Sequence, residues 1–100
     1  GFEVLLELDG GQHFWIGHNY YTDESCGRDL LKEEWAISEG LSVVRVLQED
    51  VWEDKLDWQG WLTQSIENAR TGEARTITPN APEYDSQNSA YVQLRSTSRA

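Results

Sequence analysis

The chain has 100 residues, 38% of them apolar and five of them tryptophan, which suits one globular domain with a modest core and excludes a wholly disordered chain. Eight basic against 18 acidic residues give a net charge of −10, a balance that opposes binding to a polyanion unless bound metal offsets it. No run approaches the roughly 20 apolar residues of a membrane span, and a lone Cys26 excludes an intrachain disulfide or a cysteine zinc site, so a soluble, cytoplasmic protein is expected.

Residues Phe2 to Asp9 combine apolar and β-branched positions with alternating acids and end at Gly10-Gly11, which predicts a strand with a sharp exit. Period two places Leu5, Glu7 and Asp9 on one face. Gln12 to Gly27 shows no sustained period and predicts a long loop, a length that in compact domains belongs to functional or mobile segments. From Arg28 to Glu39 the spacing of Leu31 with Trp35 and of Leu30 with Ile37 predicts a helix, stopped by Gly40. Ser42 to Leu47 follows as a buried strand, completing a β-α-β unit. A second helix is predicted from Val51 to Ala69, with Trp58, Leu62, Ile66 and Ala69 as its apolar stripe, ending at Gly72. In the polar remainder, Arg75 to Thr78 and Ala90 to Arg95 are candidates to pair as short strands. Residues 1–70 therefore read as an α/β core and 71–100 as a C-terminal extension that docks on the body, binds a partner or is disordered. Trp35, Trp52, Trp58 and Trp61 are expected in core and helix packing.

The acids are unevenly spread: residues 1–50 hold eleven acids and three bases, residues 51–70 four and two, and residues 71–100 three of each. The sharpest local feature is Glu7-Leu8-Asp9-Gly10-Gly11-Gln12-His13. Two carboxylates at i,i+2 on a strand point the same way, and the glycines let His13 fold back toward them, so oxygens could hold Mg²⁺ beside an imidazole able to move protons. The alternative is a solvated acidic strand end with a turn histidine. At the helix start, Arg28-Asp29-Leu30-Leu31-Lys32 can be plain helix-end electrostatics, or can put Lys32 or Arg28 against a phosphate with Asp29 near the metal or a histidine. His18, Trp15, Tyr20 and Tyr21 in the loop read as cover for the core or as a stacking surface for bases.

Taken in order, Glu-x-Asp-Gly-x-Gln-His at residues 7–13, Arg-Asp-x-x-Lys at 28–32, and Gly40 followed by a strand with Val44-Arg45-Val46 resemble one branch of the PD-(D/E)XK nucleases. That branch contains the very-short-patch repair endonucleases and related phage homing endonucleases. The resemblance spans roughly residues 3–52 and includes Gln48-Glu49-Asp50-Val51-Trp52 after the second strand. It implies a restriction-endonuclease-like core, a small mixed sheet flanked by helices, that hydrolyses DNA phosphodiesters with Mg²⁺ or Mn²⁺. By the same resemblance Asp9 and Glu7 are metal ligands, His13 a general base or water-positioning group, Gln12 a water- or phosphate-orienting group, and Asp29 with Lys32 the polar pair opening the helix. Arg45 is equally a structural residue of the strand. The chain departs from the superfamily pattern in two ways: Asp9 stands at the spacing of the signature lysine, and the N-terminal helix and first strands are expected to be missing. Homodimerisation that supplies strands or covers an open edge is therefore expected. The rival expectation is a non-catalytic protein-interaction module on the same fold.

Overall fold

A computed structural model describes residues 4–10, 23–55 and 57–98. In chain order they form β1 (Val4–Asp9), α1 (Asp23–Ser38), β2 (Ser42–Leu47), α2 (Gln48–Trp52), α3 (Trp58–Ala69), β3 (Thr76–Ile77), α4 (Pro82–Asp85) and α5 (Ala90–Ser98). The strands make one three-stranded sheet in the order β1-β2-β3, parallel at both pairings, so the expected mixed sheet is a parallel one among the described residues. Val4 pairs with Ser42 and Asp9 with Leu47, while Val43 and Val44 pair with Thr76 and Ile77. Both joins are crossovers through helices, as parallel neighbours require.

β2 is buried at all six positions because it is the central strand and both of its faces are covered. Strand alternation points Val43, Arg45 and Leu47 to one face and Ser42, Val44 and Val46 to the other. Arg45 reaches Asp29 and Glu33 on α1, whereas Val46 lines a cavity with Trp58 and Trp61 of α3, so helices flank both faces at β2. On the α1 face, Leu47 and Tyr84 form a buried cluster with Ala81 and Tyr91 packed against it. Register places Leu6 and Leu8 of β1 on the α3 face, where each is about half exposed.

The unit from β1 through α1 to β2 forms as expected, with two adjustments. α1 begins at Asp23, so residues 23–27 of the predicted loop are helical, while residues 11–22 lie outside the described ones. Its buried side carries Leu30, Glu33 and Ala36, leaving Leu31 and Trp35 67% and 57% exposed. The predicted Leu31–Trp35 stripe therefore points outward, because the helix is turned to bring Asp29 and Glu33, one turn apart, onto Arg45. Gly40 stops the helix with φ of +85°, and the Gly40 and Leu41 amides donate to the Ile37 and Ala36 carbonyls in a Schellman closure.

The predicted helix from Val51 to Ala69 is two helices. Asp54 adopts φ of +49°, and Asp57 caps α3 by accepting a hydrogen bond from the Gly60 amide at 3.1 Å. The stripe Trp58, Leu62, Ile66 and Ala69 is half-buried, with Ser65 buried beside it. Trp52 is exposed, so of the four tryptophans expected in packing only Trp58 and Trp61 are partly covered. After α3, the Arg75 guanidinium donates to the Asn68, Thr71 and Glu73 carbonyls and closes the helix end.

Arg75 to Thr78 does contain a strand, β3, seated on β2 and anchored where the Val43 amide donates to the Arg75 carbonyl at 2.9 Å. Ala90 to Arg95 is helical and does not pair with it. The physical reason is the i,i+4 spacing of Tyr91 and Arg95: on a helix both side chains reach Glu33. No helix among the described residues is long and apolar enough to cross a membrane.

A side chain at residue 60 would collide with the Asp57 carboxylate. Gly60→Ala, which on helix propensity alone stabilises by about 1 kcal/mol, also displaces a cap of about the same strength. The expected outcome is a urea-unfolding midpoint no higher than that of the unaltered chain. A midpoint raised by the full propensity gain would show that the cap contributes nothing.

Candidate functional site

Arginine in the middle of an apolar central strand has no water to solvate it, so the fold must supply counter-charge. Arg45 is 1% exposed. Its Nη1 donates to both Asp9 oxygens at 2.9 and 3.1 Å, its Nη2 to Asp29 Oδ2 at 2.9 Å and its Nε to Glu33 Oε1 at 3.0 Å. The guanidinium also lies 5.2 Å from the centre of the Tyr91 ring. β1 delivers Asp9 at its carboxyl end, and α1 delivers Asp29 and Glu33 from one face.

α4 and α5 close the arrangement. Tyr84 Oη donates to Asp9 Oδ2 at 2.8 Å, and Arg95 Nε donates to Glu33 Oε2 at 2.8 Å. Arg95 Nη2 stands 3.5 Å from Asp29 Oδ2, and its guanidinium covers the Tyr91 ring at 3.6 Å. The Tyr84 and Tyr91 rings meet edge to face with centroids 5.1 Å apart. Three carboxylates thus share two guanidinium groups.

The sharing is unequal. Burial pushes the Asp9 carboxyl above its ordinary value and outweighs Arg45 and Tyr84, with Asp29 adding repulsion. Burial acts in the same direction on Glu33, but hydrogen bonds and charge from both Arg95 and Arg45 overcome it and hold Glu33 below its ordinary value. Arg45, opposed by burial yet faced by three acids, is held more firmly protonated than usual. Burial, with Asp9 next in effect, raises the Tyr84 hydroxyl, and burial pushes Tyr91 up to about 12.

A second, more open contact lies beside this network on the same sheet face. Lys32 Nζ is 2.7 Å from Glu7 Oε1, an ion pair without hydrogen-bond geometry, with side chains 55% and 18% exposed. Glu7 sits opposite Arg45 in the sheet register.

Of the residues singled out in the sequence, Asp9 and Asp29 therefore meet at Arg45, and Glu7 meets Lys32. Gln12 and His13 lie outside the described residues, as do Trp15, His18, Tyr20 and Tyr21. Glu33, Tyr84, Tyr91 and Arg95 were missed by the sequence reading. One signal for Glu33 was present: an arginine inside an apolar strand requires an acid on the facing helix, and Asp29 and Glu33 share one side of α1.

Among the described residues no group of three or more His, Cys, Asp or Glu side chains is arranged to hold a metal ion. Mg²⁺ commonly takes only one or two carboxylates and completes its shell with waters and substrate phosphate. Asp9 fits that role poorly, since a cation on its oxygens would displace Arg45 or Tyr84 and strand a buried charge. Glu7 fits it better, because among the described residues its ion-pair partner is a half-exposed, flexible lysine that a cation could displace.

Comparison with protein-family models, with curated proteins and with solved structures returns no match.

Removing one member of a buried ion-pair network costs about 3–5 kcal/mol, a large part of the roughly 5–15 kcal/mol that holds a domain folded. Arg45→Met is accordingly expected to unfold the chain or bring its urea midpoint close to zero. Tyr84→Phe removes one hydrogen bond to a carboxylate and should cost about 1.5–3 kcal/mol. An unchanged midpoint in Arg45→Met would mean that the network contributes no stability.

The pH dependence carries two opposite signs. Between its folded value and 4.5, Glu33 binds fewer protons in the folded chain, so the stability it contributes is present above 4.5 and lost as pH falls through the folded value. Asp9 has its window above 3.8, where the folded chain binds more protons and stability falls as pH rises through its folded value. Glu33→Gln should therefore flatten the loss of thermal stability on acidification below 4.5, measured by circular dichroism. An acid limb as steep as before would assign that loss to other carboxylates.

Proposed function

We propose that this chain is a restriction-endonuclease-like α/β core that hydrolyses DNA phosphodiester bonds with a divalent metal, using Glu7 as its metal-binding carboxylate and Lys32 as its charge-stabilising cation. The observation that carries this reading is the contact of Lys32 Nζ with Glu7 Oε1 at 2.7 Å. An acid and a lysine side by side on a partly open sheet face suit a phosphate whose negative charge grows during reaction. The order of motifs along the chain supports the same reading, as does the position of Asp9 at the carboxyl end of a parallel strand, where open α/β sheets place their ligands.

In this reading the roles divide by burial. Glu7 orients Mg²⁺ or Mn²⁺, which when bound supplies Lewis acidity to the phosphate and to an attacking water. The water oxygen adds to phosphorus, the bond from phosphorus to one sugar oxygen breaks, and that oxygen leaves with a proton. The Lys32 ammonium releases Glu7 and neutralises charge on a non-bridging phosphate oxygen. The resemblance assigns water activation to His13 and water or phosphate orientation to Gln12. Asp9 and Asp29 are positioning residues: through Arg45 they fix the carboxyl end of β1, from which the chain continues to Gln12 and His13.

A second reading, a non-catalytic module that binds protein or a second copy of itself, is favoured by a different observation. Leu6 and Leu8 are half exposed on β1, which has a neighbour on one side only among the described residues.

Nicking of supercoiled plasmid with Mn²⁺ at low salt tests the first reading, because low salt suppresses weak DNA binding least in so acidic a protein. Glu7→Gln is expected to reduce nicking by about 10²-fold or more and Lys32→Met by about tenfold, while Lys55→Ala, on an exposed pair with Glu49 and Glu53, leaves it unchanged. Absence of nicking, or nicking that survives Glu7→Gln, overturns the reading. In that event sedimentation of the chain beside a Leu6→Ser, Leu8→Ser double variant decides whether the apolar edge joins two copies.

A further inference from the structure

On the sheet face opposite Glu7 and Lys32, the ends of β2 and α3 enclose a cavity of about 240 Å³. Val46, Trp58, Trp61 and Pro79 line it with aromatic and apolar residues, and Asp50, Asp57 and Asn80 are the polar residues of the lining. Among the described residues no basic side chain lines it. We infer that this cavity binds a small organic cation, an alkylated ammonium group, between the tryptophans and the two aspartates.

Four features support that ligand class. Indole faces attract cations more strongly than other aromatic rings, and the attraction grows where water is excluded. Two acidic residues in the lining of one small cavity disfavour an anion, and the nearest lysine in sequence, Lys55, is engaged with Glu49 at 3.2 Å and Glu53 at 3.0 Å. The mainly apolar lining disfavours a tightly hydrated metal ion, whereas an alkylated ammonium carries its charge inside an apolar shell and loses little hydration on entry. A volume below the usual range for drug-sized ligands fits a headgroup rather than an extended molecule.

The walls are held in place before any ligand arrives. Trp58 Nε1 donates to Asp54 Oδ1 at 2.9 Å, which ties the indole ring to the turn before α3. Asp57 is held by its capping bond from the Gly60 amide. Preorganised walls lower the ordering cost of binding, the usual reason small polar ligands bind weakly.

Calorimetric titration of the full chain with tetramethylammonium, beside tert-butanol as an uncharged probe of similar size, tests the inference. Saturable binding of the cation is expected, with none for the alcohol. Asp50→Asn, which preserves shape, should weaken binding about fivefold, and Trp61→Ala about tenfold or more, with unchanged circular dichroism in Asp50→Asn as the control for folding. Absence of saturable binding, equal binding of the alcohol, or full affinity in Asp50→Asn overturns it. A short peptide bearing trimethyllysine separates two sources of the cation: tighter binding than tetramethylammonium assigns a protein side chain, and equal binding assigns a free small molecule.

Discussion

Burial of the Arg45 guanidinium is the constraint on which the rest of the molecule is arranged. A cation in the central strand of a parallel sheet is tolerated only when acids reach it from the flanking layers, and here they come from β1 and from one side of α1. The requirement sets the rotation of α1, which presents Asp29, Glu33, Leu30 and Ala36 inward and leaves Leu31 and Trp35 in solvent. It also selects the strand register. A slip of one residue between β1 and β2 would carry Asp9 to the opposite face, leaving Arg45 without its bidentate partner.

The same constraint sorts the carboxylates of an acid-rich chain into two kinds. Asp9, Asp29 and Glu33 are bound to guanidinium groups and hold elements together. Glu7 instead meets a half-exposed lysine, and Asp50 and Asp57 are among the residues that line a cavity. Residues only two apart on one strand face, Glu7 and Asp9, fall on different sides of this division. The difference is depth: Asp9 reaches the buried guanidinium and a tyrosine hydroxyl, while Glu7 meets a lysine whose side chain is more than half exposed.

The C-terminal stretch belongs to this arrangement through its side chains. Tyr84 completes the hydrogen bonds of Asp9, Arg95 provides the second guanidinium for Glu33, and Tyr91 lies against both arginines. β3 adds the third strand, so residues from beyond position 70 cover β2 at one edge and on its α1 face. Among the described residues β1 has a strand neighbour on one side only and its Leu6 and Leu8 are half exposed, which gives the interaction reading its foothold.

Local pattern alone determined the β-α-β unit, the span of β2, the Gly40 stop and the shared face of Glu7 and Asp9, because period, turn chemistry and helix closure depend on neighbours in sequence. Arg28-Asp29-Leu30-Leu31-Lys32 reads locally as a polar helix start, but α1 begins at Asp23 and the segment lies inside it, with Asp29 turned to Arg45 and Lys32 to Glu7. The break between α2 and α3 was hidden because the run of helix formers gave no weight to Asp54 at positive φ or to the Asp57 cap. Only the tertiary structure decided that α5 is a helix, that α1 faces inward through Glu33 and that Asp9 is a buried partner of Arg45. Those outcomes rest on contacts 12 to 75 residues apart in the chain, where the cost of burying one charge is met by groups that no local window contains.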